Sequence, residues 1–156
     1  MSGRNDVALR GYDSRDLDAI VELDAACFAP PFRFSRDAMR RFVEAGNAWA
    51  VIAESKDVLA GFCIVHLEPA ESVNVGYVVT IDVTEAFRRR GLGERMLREA
   101  EMWVRGAGGA GMILHVFVKN ESAVRFYERL GYKRVGDQRG FYGPGIDALM
   151  YWKEFR

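Results

Sequence analysis

Cysteine is scarce in this 156-residue chain: Cys27 and Cys63 are the two present. They stand far apart and form no CxxC, which excludes a disulfide-stapled fold and predicts reduced thiols in a cytoplasmic protein. Histidine is equally scarce, with two residues. Together with the cysteines they offer no zinc-site spacing, so no metal is expected. Excess charge of one sign is absent too, since 22 basic residues balance 22 acidic ones. Nothing global therefore argues for a nucleic-acid partner. No apolar run is long enough to span a membrane, and the opening MSGRNDVALR lacks the apolar core of a signal peptide. Neither an internal repeat nor a low-complexity linker interrupts the chain. Its length suits a single domain over residues 1–156.

What is present centres on Ile81 to Arg98, IDVTEAFRRRGLGERMLR. A β-branched run ends in a polar turn, three arginines follow, and Gly91-Leu92-Gly93 opens an amphipathic helix. The first N–H groups of a helix lack internal partners, and the helix dipole adds positive character there. Glycines let phosphates approach those amides and arginines add countercharge, so the stretch reads as a pyrophosphate cradle. It is not a P-loop, because Glu94-Arg95 stand where Lys-Ser/Thr is required. It is not a dinucleotide fingerprint, because the third glycine is missing.

The remaining chain alternates strands and helices. A first strand is predicted at Val7–Gly11. A helix capped by Asp13 or Ser14 runs to about Phe28, and a second, capped by Ser35, runs to about Glu44. The proline-broken segment between them carries Phe28, Phe32 and Phe34. It reads equally as a plug of the core and as one wall of a substrate site. Strands at Ala48–Glu54 and Val58–Leu67 join through a hairpin at Ser55–Asp57, and a strand from Ser72 leads into the cradle. Beyond the cradle helix, a glycine-rich connector precedes a strand at Met112–Val118. A helix capped by Asn120 ends at Gly131. The last strands are Tyr132–Val135 and Ala148–Trp152, with Arg139–Gly145 between them as a loop. The order predicts an α/β fold with a mixed sheet.

Arg88-Arg89-Arg90-Gly91-Leu92-Gly93 and NESAVRFYERLGY at Asn120–Tyr132 resemble the acyl-CoA motifs of the GCN5-related N-acetyltransferases (GNAT). Leu114-His115-Val116 with Asn120, then Phe141-Tyr142 and Asp147-Ala148, resemble more narrowly the N-terminal protein acetyltransferases, ribosomal-protein alanine acetyltransferases among them. Three positions depart from that pattern. His115 stands where the bacterial ribosomal-protein enzymes carry Glu, Phe141 where Tyr is usual, and Phe87 where some relatives have Tyr.

The resemblance implies a mixed, mostly antiparallel sheet of about seven strands flanked by four helices, with splayed parallel fourth and fifth strands. It implies acetyl-CoA as co-substrate, contacted by the backbone of Ile81, Asp82 and Val83 and by Arg88, Arg89, Arg90, Gly91, Leu92, Gly93 and Glu94. Glu94 would serve through its amide. Asn120 and Tyr127 would also contact the cofactor. By the same route His115 is the expected base, with Asp82, Glu68 and His66 in reserve, and Tyr127 the expected acid toward the CoA sulfur. Phe32, Phe141 and Tyr142 would flank the acceptor.

An imidazole titrating near 6.5 suits an α-amine near 8 better than a lysine near 10.4. That match modestly favours an α-amine, and the resemblance implies a protein or peptide N-terminus as acceptor, a ribosomal protein among the options, handled by a monomer or homodimer. A small-amine acetyltransferase and a non-catalytic acyl-CoA-binding module are the alternatives.

Overall fold

A computed structural model describes residues 6–156. The opening stretch read for a leader lies partly outside the described residues, in Met1–Asn5. Seven strands form one sheet: β1 (Ala8–Gly11), β2 (Ala48–Ser55), β3 (Val58–Ala70), β4 (Val73–Val83), β5 (Gly111–Phe117), β6 (Lys133–Gly143) and β7 (Ile146–Glu154). Their order is β1-β2-β3-β4-β5-β7-β6. The helices are α1 (Leu17–Cys27), α2 (Arg36–Val43), α3 (Leu92–Gly106) and α4 (Glu121–Arg129). The β4–β5 ladder is parallel, running from Gly76↔Met112 to Tyr77↔Ile113. The β1–β2, β2–β3, β5–β7 and β6–β7 pairings are antiparallel. This is the expected α/β class.

Chain contacts group the molecule into two compact units. The first comprises the described residues up to His66 together with Val79–Ala100. Its core joins Leu17, Ile20 and Leu23 of α1, Met39 and Val43 of α2, and Ile52, Phe62 and Ile64 of the sheet. The helical positions recur every three or four residues, so one stripe of each helix is removed from water. Each such side chain contributes about 1.5–3 kcal/mol of burial free energy. Asp13 caps a short 3-10 turn, Ser14–Asp16, that leads into α1, while Ser35 caps α2 by accepting from Ala38 N. The β2–β3 hairpin turns through Lys56 and Asp57, both at positive φ, a geometry matched to the twist of the strands it joins.

The second unit comprises Leu67–Val78 and Glu101–Arg156. Buried Glu101 accepts from Tyr132 Oη at 2.7 Å and from Lys153 Nζ at 3.1 Å, so its carboxylate is paired rather than stranded. Asn120 caps α4 by accepting from Ala123 N at 3.1 Å.

One element departs from expectation. Arg139–Gly143, expected to lie in a loop, belongs to β6, and only Pro144 and Gly145 turn the chain into β7. Gln138 pairs with Ala148 and Gly143 with Ile146, so five steps along β6 match two along β7. The surplus bulges out, carrying Phe141 and Tyr142. Gly140 at φ 64° and Gly143 at φ 141° supply left-handed corners, and Asp147 Oδ1 accepts from Gly140 N at 2.9 Å.

Candidate active site

In the first unit, β4 hands the chain to α3 through the turn predicted as a phosphate cradle. Side chains alternate along β4. Val79, Ile81 and Val83 are half-buried on one face, while Val78, Thr80 and Asp82 are buried on the other. Within the turn, Arg89 at φ 64° and Gly91 at φ 78° both take left-handed conformations. Arg89 holds that conformation at a steric cost that glycine escapes. The space where a Cβ of Gly91 would sit is open.

Arg88 folds back, donating from Nε to Val83 O at 3.0 Å and from Nη2 to Cys27 Sγ at 3.5 Å. Glu94 turns its carboxylate along α3 to Arg98, at 3.1 Å, and thus away from the helix start. Arg90 stacks over Phe87 with its guanidinium carbon 5.1 Å from the ring centroid. Thr84 Oγ1, at the entrance to the turn, is buried without a hydrogen-bond partner among the described residues. Exposed arginines, an opened α3 start, a carboxylate withdrawn from it and an unpaired hydroxyl together fit a bound pyrophosphate.

Asp82 has a different setting. Its carboxyl is buried beside that of Asp24, accepts from Thr80 Oγ1, and is raised well above the usual carboxylate range by burial and then by its acidic neighbour. Its side chain lies on the β4 face opposite to Ile81 and Val83. Phe32 is half-buried in the 3-10 turn Pro30–Phe32, whereas Phe34 packs on the core and meets Phe42 edge-on at 5.1 Å. The aromatic segment therefore supplies a core plug at Phe34, while Phe32 stays in the turn before it. His66 is buried, with Nε2 2.7 Å from Phe42 O.

In the second unit, His115 sits on β5, on the half-buried face with Ile113 and Phe117. Both ring nitrogens are engaged. Nδ1 lies 2.8 Å from Tyr77 Oη on β4, and Nε2 lies 3.0 Å from Gln138 Oε1 on β6. Phe141 stacks on the imidazole at 3.8 Å with a 7° tilt, and Tyr142 meets Phe117 edge-on. Burial lowers the His115 pKa below 6.5, offset in part by the Gln138 hydrogen bond. Burial raises the Tyr77 phenol above its usual value, and raises Tyr142 to about 12. Tyr77 therefore remains a phenol at neutral pH, able to relay a proton but not to act as a standing phenolate.

Tyr127 on α4 packs edge-on against Phe126 at 5.1 Å and Tyr132 at 5.6 Å. The structure thus brings His115, Phe141 and Tyr142 into one cluster, to which Tyr77 and Gln138 belong as well. Sequence reasoning missed those two. The signal for Tyr77 was strand parity, since it shares its face of β4 with Val79, Ile81 and Val83. Among the described residues no group of three or more His, Cys, Asp or Glu is placed to hold a metal ion.

The acetyltransferase (GNAT) family model matches residues 17–132. An N-alpha-acetyltransferase of Saccharolobus solfataricus is 28% identical, over 93% of this chain and 91% of its own length. The N-alpha-acetyltransferase RimI of Mycobacterium tuberculosis is 30% identical, over 91% of this chain and 89% of its own length. Among solved structures, Arabidopsis thaliana NAA60 in complex with acetyl-CoA shares the fold with a TM-score of 0.83 at 22% identity, over 96% of this chain and 98% of that one.

Proposed function

From its membership of the acetyltransferase (GNAT) family, to which this chain belongs, we propose that it acetylates the N-terminal α-amine of a protein or peptide. The observation that carries this reading is the hydrogen bond between Tyr77 Oη and His115 Nδ1 at 2.8 Å, which joins a phenol to a neutral imidazole. Relatives bearing the N-alpha-acetyltransferase name support the acceptor class.

Acetyl-CoA, when bound, supplies the acetyl thioester. The backbone amides of Arg88 to Glu94 and the exposed arginines would hold its pyrophosphate, and the β4 backbone at Ile81, Asp82 and Val83 would hold its pantetheine arm. Asn120 adds a further contact. The acceptor must lose a proton before it can attack. Near pH 7.4 about a fifth of an α-amine with pKa near 8 is already neutral, against about one part in a thousand of a lysine. A weak base such as His115, lowered further by burial, is thus matched to the α-amine. Tyr77 accepts the amine proton as its own passes to Nδ1, so the phenol emerges neutral and the charge rests on the imidazole. Tyr127 keeps its ring in the aromatic packing of α4, and its hydroxyl would serve as acid to the thiolate of bound CoA. Phe32, Phe141 and Tyr142 flank the acceptor's first residues.

The test is an acetylation panel. Peptides with a free N-terminus and no lysine should be modified, and peptides blocked at the N-terminus but carrying a free lysine should react poorly. Better turnover of the blocked lysine peptides, or of small polyamines, would reject the acceptor assignment. Acetyl-CoA should raise the melting temperature by mass action, and Gly91→Asp, which places a carboxylate at the cradle, should abolish the rise.

A further inference from the structure

We infer that Gln138 is a positioning residue that holds His115 in its Nε2–H form and thereby turns the basic nitrogen, Nδ1, toward Tyr77. The inference rests on the proposed role of His115 as base and goes beyond it.

The reach of Gln138 is a consequence of register. β7 lies between β5 and β6, so a β6 side chain must cross a whole strand, about 10 Å from β5, to meet His115. His115 pairs with Met150, and Phe117 with Ala148, while Gln138 also pairs with Ala148. Paired positions share a face, so His115 and Gln138 project from the same side of the sheet. The residue paired with Gln138 on the intervening strand is Ala148, whose side chain is a single methyl. The bulge beyond Gln138 then brings Phe141 onto the imidazole ring from the same strand.

With the Gln138 amide oxygen turned toward the ring, the hydrogen bonds assign the tautomer. The Gln138 Oε1 atom can only accept, so Nε2 of His115 donates to it across 3.0 Å. A neutral imidazole with its proton on Nε2 has its lone pair on Nδ1, and Tyr77 Oη then donates to that lone pair at 2.8 Å. The opposite tautomer would set the Nε2 lone pair against the Gln138 carbonyl oxygen, two acceptors face to face. When the acceptor's proton arrives through Tyr77, Nδ1 gains an N–H, Nε2 keeps its own, and the Gln138 bond persists in both states.

An amide suits this task where a carboxylate would not. A negative partner would favour the imidazolium and leave less of the ring neutral and ready to accept a proton. The titratable group facing the ring from β4 is Tyr77, with Tyr142 of the bulge acting on Tyr77 in turn. From β7 the residue opposite is Met150, and Asp147 of that strand is bound to Gly140 N.

The test uses the full chain labelled with 15N-histidine, in which the two imidazoles are told apart by the loss of one set of signals in His115→Gln. Wild type should show His115 protonated at Nε2 and bare at Nδ1 above its pKa. Gln138→Leu should give a mixture of tautomers and lower kcat about tenfold, with KM nearly unchanged and the acetyl-CoA thermal shift intact. Gln138→Glu should keep the Nε2–H form and move the acidic limb of the kcat profile about one unit toward higher pH. A wild-type ring protonated at Nδ1 would overturn the inference. So would a Gln138→Leu variant with unaltered tautomer and unaltered titration. If the tautomer shifts in Gln138→Leu while His115→Gln retains full activity, Gln138 still sets the tautomer, and the proposed base is what fails.

Discussion

Two titrating centres, one in each compact unit, show how burial can be put to opposite uses. His115 is half-buried, and each ring nitrogen faces a neutral polar partner, Tyr77 or Gln138. Asp24 and Asp82 are sealed from water, at 0% and 1% exposure, and face each other. Asp24 Oδ2 accepts from Phe34 N and Asp82 Oδ1 accepts from Thr80 Oγ1, which leaves Asp24 Oδ1 and Asp82 Oδ2 as buried acceptors without a donor. One shared proton supplies the missing donor to both. Desolvation thus lowers the imidazole and raises the carboxyls, because in each case it disfavours the charged form. The first centre stays neutral so that a proton can come and go; the second stays partly protonated so that the core can close.

The sharpest way to break this contrast is at His115. His115→Gln should lower kcat/KM by a factor on the order of 10²–10³, the scale of a lost general base. The same variant should cost no more than about 2 kcal/mol of urea stability near pH 8, the worth of the lost ring stack and hydrogen bonds. A large loss of stability with little loss of rate would move His115 from the chemistry to the framework. Below pH 6.5 wild type should lose stability that the variant keeps. A folded-state pKa below 6.5 means that the ring's contribution is present above the unfolded value and disappears as pH falls through it.

The carboxyl pair should titrate the other way. Asp82 keeps its proton in the folded chain at pH values where the unfolded chain, near 3.9, has released it. The stability it contributes is complete below that unfolded value and is lost as pH rises toward the raised folded one. Over that window the loss is about 1.4 kcal/mol per pH unit. Asp82→Asn places an amide N–H where the shared proton was, so Asp24 Oδ1 keeps a donor at every pH. The variant should match wild type in acid, exceed it at neutral and alkaline pH, and flatten the slope in urea titrations from pH 5 to 9. An unchanged slope would mean that the two carboxyls share no proton.

How much of this could be read from the chain depended on sequence distance. The cradle at Arg88–Gly93 and the caps at Ser35 and Asn120 are local grammar, since each depends on residues within a few positions. His115 was reachable through a short motif. Tyr77 was half legible: strand parity puts it on the face of Val79, Ile81 and Val83, but its meeting with His115 is set by the parallel register of β4 and β5, at Gly76↔Met112 and Tyr77↔Ile113. Asp24 and Asp82 escaped for the same reason, as nothing near either residue announces the other. Phe141 and Tyr142, expected in a loop, stand in β6 for a different cause. Arg139–Gly145 has the glycines and proline of a loop, but Gly140 and Gly143 form the corners of a bulge within a continuing strand. Composition cannot separate those two uses of glycine, whereas the ladder on either side can.

The smallest expected effect probes what half-burial means at His115. Phe141 covers the imidazole face at 3.8 Å yet is itself 38% exposed, so removing its ring opens the site without unmaking the core. A stacked aromatic pair is worth about 0.5–1.5 kcal/mol beyond its buried area. Phe141→Leu should therefore lower the melting temperature by only a few degrees and kcat/KM only about two- to tenfold. Its diagnostic effect is on titration. Desolvation is the main cause of the lowered His115 pKa, so uncovering the ring should return that pKa toward 6.5, seen by NMR and as a shift of the acidic limb of the rate profile toward higher pH. Tyr at the same position restores a stacking ring and should return the pKa to its wild-type value. If Phe141→Leu leaves the His115 titration unmoved, its shielding comes from the Tyr77 and β7 side, and the bulge of β6 serves the acceptor rather than the base.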